Sequence, residues 1–399
     1  MLTRRESLAA MTATLAAPSV SARTIYDVAV IGAGVFGAWT AERLKSAGAA
    51  VALVDAAGPA HARASSAGET RVTRISYGGD PLYSPMARES LAAWAALSAS
   101  ASTPLFYRTG VLWFSPANDA YMAKSLAYLS AHSIAHRAMD ARALGAAYPQ
   151  MRFAEGEAGF VETETGALVA GRAVQTLVAR SGVPFVLAQA GPPVRRRGAY
   201  DVAPSLRAKT LVYAAGPWLP KLFPAILADR IVSTRQEVLH FGPKPGDLRF
   251  EAGALPVWAD FNAGDIVYGI PSIEGQGFKI AFDRHGPVVD PDTQDRRVAP
   301  ETVDAARAYL RRRFPDLADA PVVHSRVCQY ENSSNGDFLI DRHPAHPDVW
   351  LVGGGSGHGF KHGPAVGRLV ADHVLDPGKP VEPRFALASK QKVSKRTVY

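Results

Sequence analysis

The spacing of apolar residues along the chain predicts an α/β protein built around buried strands. Continuous apolar runs at residues 26–31 and 51–54 are typical of buried strands, and the stretch 35–47 between them predicts a helix. Two later apolar runs, at residues 211–215 and 349–352, have the same character as the first two. We therefore expect all four strands to belong to one sheet.

Three glycines with the spacing of a dinucleotide-binding turn connect the first strand to the first helix. Gly32 permits the tight turn, Gly34 lets the backbone approach a pyrophosphate, and Gly37 lets helix and strand pack closely. The helix N-terminus offers free N–H groups to the phosphates, and Asp55 after the second strand is placed to accept hydrogen bonds from a ribose. This order of features predicts dinucleotide binding, but it does not separate FAD from NAD.

A second glycine-rich turn follows the apolar run that ends at residue 352. Five glycines between Gly353 and Gly359 remove side chains where a flat group must lie against the backbone. A helix predicted over residues 364–375 aims its N-terminus at this turn, which would stabilise negative charge on a reduced ring. The run 211–215 likewise enters a glycine, Gly216. A simple nicotinamide-binding domain has no need of these additional turns.

Length and composition indicate a soluble enzyme of two domains. The 399 residues exceed what one hydrophobic core normally serves, and 47% hydrophobic with 20% charged residues is ordinary for a globular enzyme. The formal net charge of +8 raises the question of nucleic-acid binding. However, the arginine runs 195–197 and 311–313 have no interleaved aromatic residues. We therefore assign both runs to solvated faces and expect no nucleic-acid partner.

The first 22 residues have the features of a twin-arginine-type export signal. Arg4 and Arg5 precede a weakly apolar run at residues 8–18, and small residues at 20–22 form a cleavage pattern. The apolar run is about half of a membrane-spanning length, so we expect no stable membrane anchor. We expect a periplasmic protein; the alternative is a cytoplasmic enzyme with a disordered tail.

The only cysteine, Cys328, lies in one of five segments that together are recognisable. These segments are SSAGETRVTRISYG (65–78), AAGPW (214–218), GFKIAFDRHGPVVDPDT (277–293), CQYENSSNGDFLID (328–341) and GGSGHGFKHGP (354–364). With them the chain resembles the D-amino-acid-oxidase-like flavoprotein superfamily, and most closely the group of monomeric sarcosine oxidase and N-methyltryptophan oxidase. The resemblance runs from residue 26 to about residue 375.

The resemblance implies an α/β fold in which a Rossmann-type (glutathione-reductase-like) FAD-binding domain is interwoven with a mixed-sheet α+β substrate domain. The FAD-binding domain then comprises residues 26–105, 151–230 and 328–375, and the substrate domain comprises residues 106–150 and 231–327. In the substrate domain, FYRTGVLWFSP fits a strand and TVDAARAYLRRRFP fits a surface helix. Residues 376–399 are expected to form a C-terminal tail whose last residues, SKQKVSKRTVY, are disordered.

The resemblance also implies FAD, attached by a thioether between Cys328 and the 8α carbon of the flavin ring. One cysteine excludes an intramolecular disulfide, and the alternative to a thioether is an inert buried cysteine beside noncovalent FAD. The residues expected to bind the cofactor are Gly32, Gly34, Gly37, Asp55, Gly216, Cys328, Gly357, His358, Gly359, Phe360 and Lys361. His358 is expected to act through its backbone, and no metal site is expected.

Enzymes of this group oxidise the C–N bond of a secondary or N-alkylated amino acid by hydride transfer to flavin N5, and O2 reoxidises the flavin to give H2O2. By resemblance, Arg74 and Lys361 bind the substrate carboxylate, which suits a guanidinium fork and an ammonium charge. The same resemblance implies that Arg71 packs against the flavin ring and that Lys279 promotes the reaction with oxygen. The implied partners are a small-molecule amino acid and O2, and the protein is expected to be monomeric.

Two departures from the group bear on the substrate, since Ala67 and Asp283 stand where sarcosine oxidases have histidines. A small residue at 67 would enlarge the cavity and a carboxylate at 283 would favour a cationic group, so we expect sarcosine to be a poor substrate. Two alternatives stay open: a dehydrogenase that passes electrons to a quinone or carrier, and a noncatalytic flavin-binding protein. A nicotinamide dehydrogenase is less favoured than either.

Overall fold

The structure, a computed structural model, describes residues 24–262 and 266–391. The expected export signal at residues 1–22 and residues 392–399 of the expected tail lie outside this part of the chain. No helix of the described residues is long and apolar enough to cross a membrane.

The strands, in chain order, are β1 (Thr24–Ile31), β2 (Val51–Asp55), β3 (Thr70–Thr73), β4 (Phe106–Tyr107), β5 (Val111–Pro116), β6 (His136–Asp140), β7 (Glu157–Glu162), β8 (Gly166–Val169), β9 (Phe185–Leu187), β10 (Val194–Arg196), β11 (Ala199–Ala203), β12 (Leu206–Tyr213), β13 (Ile231–Phe241), β14 (Val257–Asp260), β15 (Ile266–Ile270), β16 (Phe278–Asp283), β17 (Val322–Ser333), β18 (Leu339–His343) and β19 (His346–Gly353). The α-helices are α1 (Val35–Ser46), α2 (Tyr83–Ser100), α3 (Ala120–Ala131), α4 (Ala141–Ala147), α5 (Ala170–Arg180), α6 (Leu219–Leu222), α7 (Pro224–Leu227), α8 (Pro300–Arg313) and α9 (Gly363–Leu375).

The first sheet contains the four predicted strands and follows the path β10-β11-β12-β1-β2-β9, with β19 on β12 and β18 on β19. β1 runs parallel to β2 and β12, and β12 runs parallel to β19, so these strands end at one edge of the sheet. Helices α1 and α9 pack together beside this sheet. Their close approach requires Gly367, because an added Cβ would lie 2.6 Å from the backbone of Trp39.

The second sheet has the order β17-β13-β16-β15-β14-β5-β7-β6 and is mixed, since β5 and β14 run parallel while the other neighbours are antiparallel. Its core is aromatic: Trp258 on β14 stacks on Tyr309 of α8 with ring centroids 5.7 Å apart. The predicted helix over residues 302–315 is therefore confirmed as α8, with one face buried against this sheet. The mixed second sheet, together with a first sheet whose central strands are parallel, agrees with the predicted fold class.

Two predicted domain boundaries differ from the strand pairing. β7 lies in the segment 151–230, which was assigned to the FAD-binding domain, but it pairs with β5 and β6 of the second sheet. β17 crosses the boundary at residue 328 and pairs along its whole length with β13 of the second sheet. Backbone hydrogen bonds hold a continuous strand in one sheet, so Cys328 belongs to the second sheet.

Two cations that were assigned to solvated segments are buried. Arg313, at the end of the second arginine run, is 5% exposed and pairs with Glu157 at 2.8 Å and with Asp260 at 3.0 Å. Lys390, in the tail that was expected to be disordered, is 1% exposed and its Nζ donates to Asn335 Oδ1 at 3.1 Å. Both assignments were wrong because the partners come from distant segments.

Candidate active site

A cavity of about 470 Å³ opens at the edge where the parallel strands of the first sheet end. Parallel sheets bind nucleotides at this edge. Of the residues expected to bind a cofactor, those that line this cavity are Gly32, Gly34, Asp55, Gly216, Cys328, Gly357, Gly359 and Phe360. Gly37, His358 and Lys361 are not part of its wall.

The turn between β1 and α1 is shaped by close backbone contacts. Gly32 has φ +108°, and a Cβ there would overlap the carbonyl group of Ala214 on the neighbouring segment. A Cβ on Gly37 would overlap the carbonyl oxygen of Gly32, so Gly37 serves helix–strand packing as predicted and does not line the cavity. Asp55 Oδ2 accepts a hydrogen bond from the backbone N–H of Ala33 at 2.8 Å, which fixes this carboxylate beside the turn.

The residues of this first cavity fit FAD. At Gly34 the backbone reaches the cavity without a side chain, and α1 begins directly after it. Ser66 contributes a group that the sequence did not reveal: its Oγ accepts the N–H of Val35 at 2.9 Å. Across the cavity Gly357 has φ +82°, and a Cβ there would lie 2.7 Å from the ring of Tyr330. Gly34 and Gly357 therefore both line the cavity without a side chain of their own.

Cys328 lies on β17 with 8% of its surface exposed, and it lines the first cavity. Its Sγ is 3.8 Å from Nη2 of Arg71. The position is rigid, because Cys328 pairs with Gln236 in the long β13–β17 ladder.

Arg71 lies on the wall that the first cavity shares with a smaller one. Its Nη1 donates to the carbonyl of Thr70 at 2.8 Å, and its Nη2 donates to the carbonyls of Ser65 at 2.8 Å and Ala67 at 2.9 Å. The guanidinium is thus held by backbone carbonyls, which leave its positive charge uncompensated by any acid among these contacts. Ala67 lines neither cavity, so it does not enlarge the smaller one.

The second cavity, of about 90 Å³, adjoins the first and shares Arg71, Tyr330, Gly357 and Phe360 with it. Its remaining polar lining residues are Arg74, Tyr268, Asp283, His358 and Lys361. Aromatic walls are supplied by Trp113, Trp258, Phe261, Tyr268, Tyr330 and Phe360. Positive charge surrounded by aromatic rings is suited to a small anionic ligand with an apolar part.

Arg74 and Lys361 are brought together by Tyr77. The guanidinium carbon of Arg74 lies 3.9 Å from the centre of the Tyr77 ring, and Lys361 Nζ donates to the Tyr77 hydroxyl at 2.8 Å. Arg74 is also 5.0 Å from the Trp113 ring, whose Nε1 donates to the fully buried Glu162 at 2.8 Å. Burial lowers the pKa of Arg74, but its neighbours Tyr77, Tyr121 and Glu162 raise it above the ordinary value, so Arg74 stays charged.

His358 is turned away from the first cavity by its own hydrogen bonds. Its Nδ1 is 3.2 Å from the Tyr77 hydroxyl and its Nε2 is 3.0 Å from the carbonyl of Gly336. The same Tyr77 hydroxyl is 2.7 Å from Nε2 of His362, whose pKa is well below the usual value because of burial and the charge of Lys361. Tyr77 therefore contacts both histidines and both cations of this wall, and the sequence did not indicate this role.

Lys279 is fully buried on β16, and its Nζ donates to the carbonyl of Thr70 at 2.8 Å. Lys279 lines neither cavity, whereas Arg71, which follows Thr70, lines both of them. Burial, and then the charge of Arg71, lower the pKa of Lys279 to about 7 against the opposing effect of Glu69. A lysine with this pKa changes charge near neutral pH.

Asp283 ends β16 and is the only carboxylate among the described residues that line the second cavity. The Tyr330 hydroxyl donates to its Oδ1 at 3.0 Å. No group of three or more His, Cys, Asp or Glu residues suited to a metal ion occurs in the described part of the chain.

Comparison with known proteins identifies relatives of this arrangement. A family model described as DAO, FAD dependent oxidoreductase, matches residues 27–373. Monomeric sarcosine oxidase of Streptomyces avermitilis is 33% identical over 365 residues, covering 88% of this chain and 94% of that protein. N-methyl-L-tryptophan oxidase of Salmonella arizonae is 29% identical over 362 residues, covering 88% of this chain and 95% of that protein.

The fold has counterparts among solved structures. NikD, described as an unusual amino acid oxidase essential for nikkomycin biosynthesis, superimposes with a TM-score of 0.75 over 91% of this chain and 97% of that chain. The two sequences are only 19% identical, so this likeness concerns the fold.

Proposed function

Because the chain belongs to the DAO family of FAD-dependent oxidoreductases, we propose that it oxidises the C–N bond of a secondary or N-alkylated amino acid with O2 as the electron acceptor. The observation that carries this proposal is the pair of buried cations, Arg74 and Lys361, in a cavity that adjoins the cofactor cavity. A guanidinium and an ammonium fixed on one wall would grip a substrate carboxylate. A noncatalytic flavin-binding protein would not need this pair.

When bound, FAD would accept the hydride equivalent from the substrate and pass two electrons to O2, giving H2O2, while the imine hydrolyses in water. Gly32, Gly34 and the N-terminus of α1 would hold the pyrophosphate. Arg71, fixed by three backbone carbonyls, would place a positive charge beside the flavin ring. Asp283 would attract the amino group, since it is the only carboxylate among the described residues of that wall.

The carboxylate clamp is tested with substrates that differ only in the carboxylate. Arg74→Lys loses the bidentate fork, so we expect kcat/KM for N-methyl amino acids to fall on the order of 100-fold, as when a charged hydrogen bond worth about 3 kcal/mol is lost. The corresponding N-methyl amines, which have no carboxylate, should be turned over equally slowly by both proteins. Arg108→Lys, an exposed position, is the matched control. An equal loss on both classes of substrate would contradict the clamp.

We further propose that the FAD is attached covalently through Cys328. The proposal is supported by the place of the thiol on the cavity wall beside Arg71. After acid denaturation of the purified yellow protein, the flavin should stay on a peptide that contains Cys328, and Cys328→Ser should release it. Release of all flavin from the unaltered protein would exclude the thioether and leave noncovalent FAD.

The aromatic walls and Asp283 favour a substrate larger than sarcosine. Peroxide production should therefore be faster with N-methyl amino acids that have an aromatic or cationic side chain than with sarcosine. Equal rates with sarcosine would remove this proposal.

One H2O2 per imine formed is expected of an oxidase; turnover that yields no peroxide but reduces a quinone would identify a dehydrogenase.

We also propose export to the periplasm in the folded, FAD-loaded state, and a monomeric protein in solution. The support for export is the arginine pair before the apolar run at residues 8–18. Replacement of both Arg4 and Arg5 by Lys should retain the protein in the cytoplasm of a bacterial host. Cell fractionation with a flavin-fluorescence assay measures how much protein reaches the periplasm. Light scattering measures the molar mass in solution and so tests the monomeric state.

A further inference from the structure

A glutamate that the proposed reaction does not use lies on the wall of the first cavity. Glu331 is on β17, three residues after Cys328, and is 6% exposed. Its Oε1 is a fully buried oxygen with no hydrogen-bond partner among the described residues. A buried carboxyl oxygen without a partner is costly, so this oxygen calls for an explanation.

The second glycine-rich turn makes room for this carboxyl group. A Cβ on Gly353 would overlap Oε1 of Glu331, so only glycine at 353 lets the carboxyl lie where it does. The N–H groups of Gly354 and Gly355 donate toward the carboxyl, and the backbone oxygen of Glu331 accepts the N–H of Ser356 at 2.8 Å. Glu331 therefore packs against the second glycine-rich turn, and three glycines of that turn line the first cavity: Gly355, Gly357 and Gly359.

Within residues 24–262 and 266–391, no cation pairs with Glu331. On β13 its partner in the ladder is the uncharged Ser233, and Leu219 of α6 packs beside the same turn. The charged and titratable groups elsewhere on the cavity wall are Asp55, His61, Arg63, Arg71, Lys221, Asp292, Cys328 and Tyr330. None of these groups shifts the pKa of Glu331. Burial raises that pKa to about 8, against the smaller opposing effect of the N–H groups of Gly354 and Gly355.

We propose that Glu331 is a redox-linked proton site of the FAD cavity, whose carboxylate takes up one proton from solution when the flavin is reduced. Two-electron reduction with one proton leaves the flavin as an anion, and this new negative charge disfavours a second one nearby. The electrons come from the substrate or from any added reductant, and the proton comes from water. At pH values where Glu331 is already neutral, reduction takes up only the flavin's own proton.

The test measures the midpoint potential of the bound flavin in the holoenzyme between pH 6 and pH 10. In the unaltered protein the slope of potential against pH should double above about pH 8, because two protons instead of one accompany the two electrons. In Glu331→Gln, which is neutral at every pH, the slope should stay constant. Glu155→Gln, an exposed control, should behave as the unaltered protein does.

A constant slope in the unaltered protein overturns the proposal, as does a doubled slope that survives in Glu331→Gln. If Glu331→Gln fails to retain FAD, Glu331→Thr gives a second variant that lacks the carboxyl and suits a strand. Lys279, whose pKa is lowered to about 7, is separated by repeating both measurements in the Lys279→Met background, where the slope should still double with Glu331 and stay constant with Glu331→Gln. The measurement needs FAD but no amine, so its failure and the failure of the proposed substrate class are distinguishable.

Discussion

At the scale of single residues, the candidate site is a set of cations whose partners are mostly neutral. Arg71 is bound by carbonyls, Arg74 lies on aromatic rings, and Lys361 donates to the Tyr77 hydroxyl and the carbonyl of His358. The charge of Glu162 and the hydroxyls of Tyr77 and Tyr121 raise the pKa of Arg74, so Arg74 stays charged although it is buried. This arrangement is consistent with an anionic substrate.

The role of Lys279 in the reaction with oxygen is implied only by the resemblance, and a substitution tests it. If its ammonium promotes the oxygen reaction, Lys279→Met should slow flavin reoxidation on the order of 100-fold, which is typical when one electrostatic group is removed from an active site. Because its pKa is lowered to about 7, the ammonium is present below pH 7 and is lost as the pH rises. The reoxidation rate should therefore fall through pH 7 in the unaltered protein and be flat in the variant.

Stopped-flow mixing of reduced enzyme with O2 measures this rate, and the exposed Lys209→Met is the control. Unchanged reoxidation in Lys279→Met would remove Lys279 from the reaction. Lys279 lies outside both cavities, and its Nζ donates to the carbonyl of Thr70, the residue before Arg71.

At the scale of elements, backbone contacts decide where the site can form. The turn from β1 to α1 depends on Gly37, where a Cβ would overlap the carbonyl oxygen of Gly32. The long strand β17 carries both Cys328 and Glu331, and it is held by β13 along its whole length. These contacts bring residues of the second sheet to the edge of the first.

Gly37→Ala should separate α1 from β1. Overpacking of this kind costs about 1–3 kcal/mol, and the displaced turn should also lower the FAD content of the purified protein. Gly145→Ala is the matched control, since nothing lies within 4 Å of a Cβ at that helical glycine. It should raise stability by about 0.5–1 kcal/mol. Denaturant unfolding and flavin absorbance measure both, and equal behaviour of the two variants would contradict the packing role.

The helix α8 is fastened to the second sheet by Arg313, which pairs with Glu157 and Asp260. Arg313→Ala leaves two buried carboxylates without their cation, which should cost about 3–5 kcal/mol in the free energy of unfolding. The neighbouring Arg312 is exposed, so Arg312→Ala should change stability by at most about 0.5 kcal/mol. Urea unfolding measures the free energy of unfolding of the two variants. If both variants lost a similar amount of stability, burial of the Arg313 ion pairs would not explain the effect.

At the scale of the whole molecule, the C-terminal segment closes the fold. Arg384 pairs with Asp80 at 2.8 Å and with Asp337 at 2.7 Å, and Phe385 is 1% exposed in the core of the first sheet. The backbone oxygen of Phe385 also accepts the N–H of Ile340 on β18 at 3.0 Å. The segment therefore ties the residues before α2 to β18, which pairs with the strand that leads into the second glycine-rich turn.

Phe385→Ala should remove this attachment. Deletion of a buried phenylalanine side chain costs about 3–5 kcal/mol, and the melting temperature should fall accordingly. Lys379→Ala, close in the chain but partly exposed, should change it little. Thermal unfolding monitored by circular dichroism measures both. A Phe385→Ala protein as stable as the unaltered one would mean that the segment only rests on the surface.

The sequence by itself determined the nucleotide-binding half, because its information is local. The turn at Gly32, Gly34 and Gly37 and the apolar runs beside it specify strand, turn and helix within a few residues. The second glycine-rich turn with its helix α9 is local in the same way. The five recognisable segments then identified the family.

Only the tertiary structure decided which side chains meet. Tyr77 joins Arg74 to Lys361, Ser66 holds the N-terminus of α1, and Glu331 lies under Gly353, although no periodic spacing connects the members of these groups. The tertiary structure also shows that β7 belongs to the second sheet, that Arg313 is buried and that Lys279 lies outside both cavities. The physical reason is that burial and pairing depend on contacts between segments far apart in the chain, whereas strands, turns and helices follow from neighbouring residues.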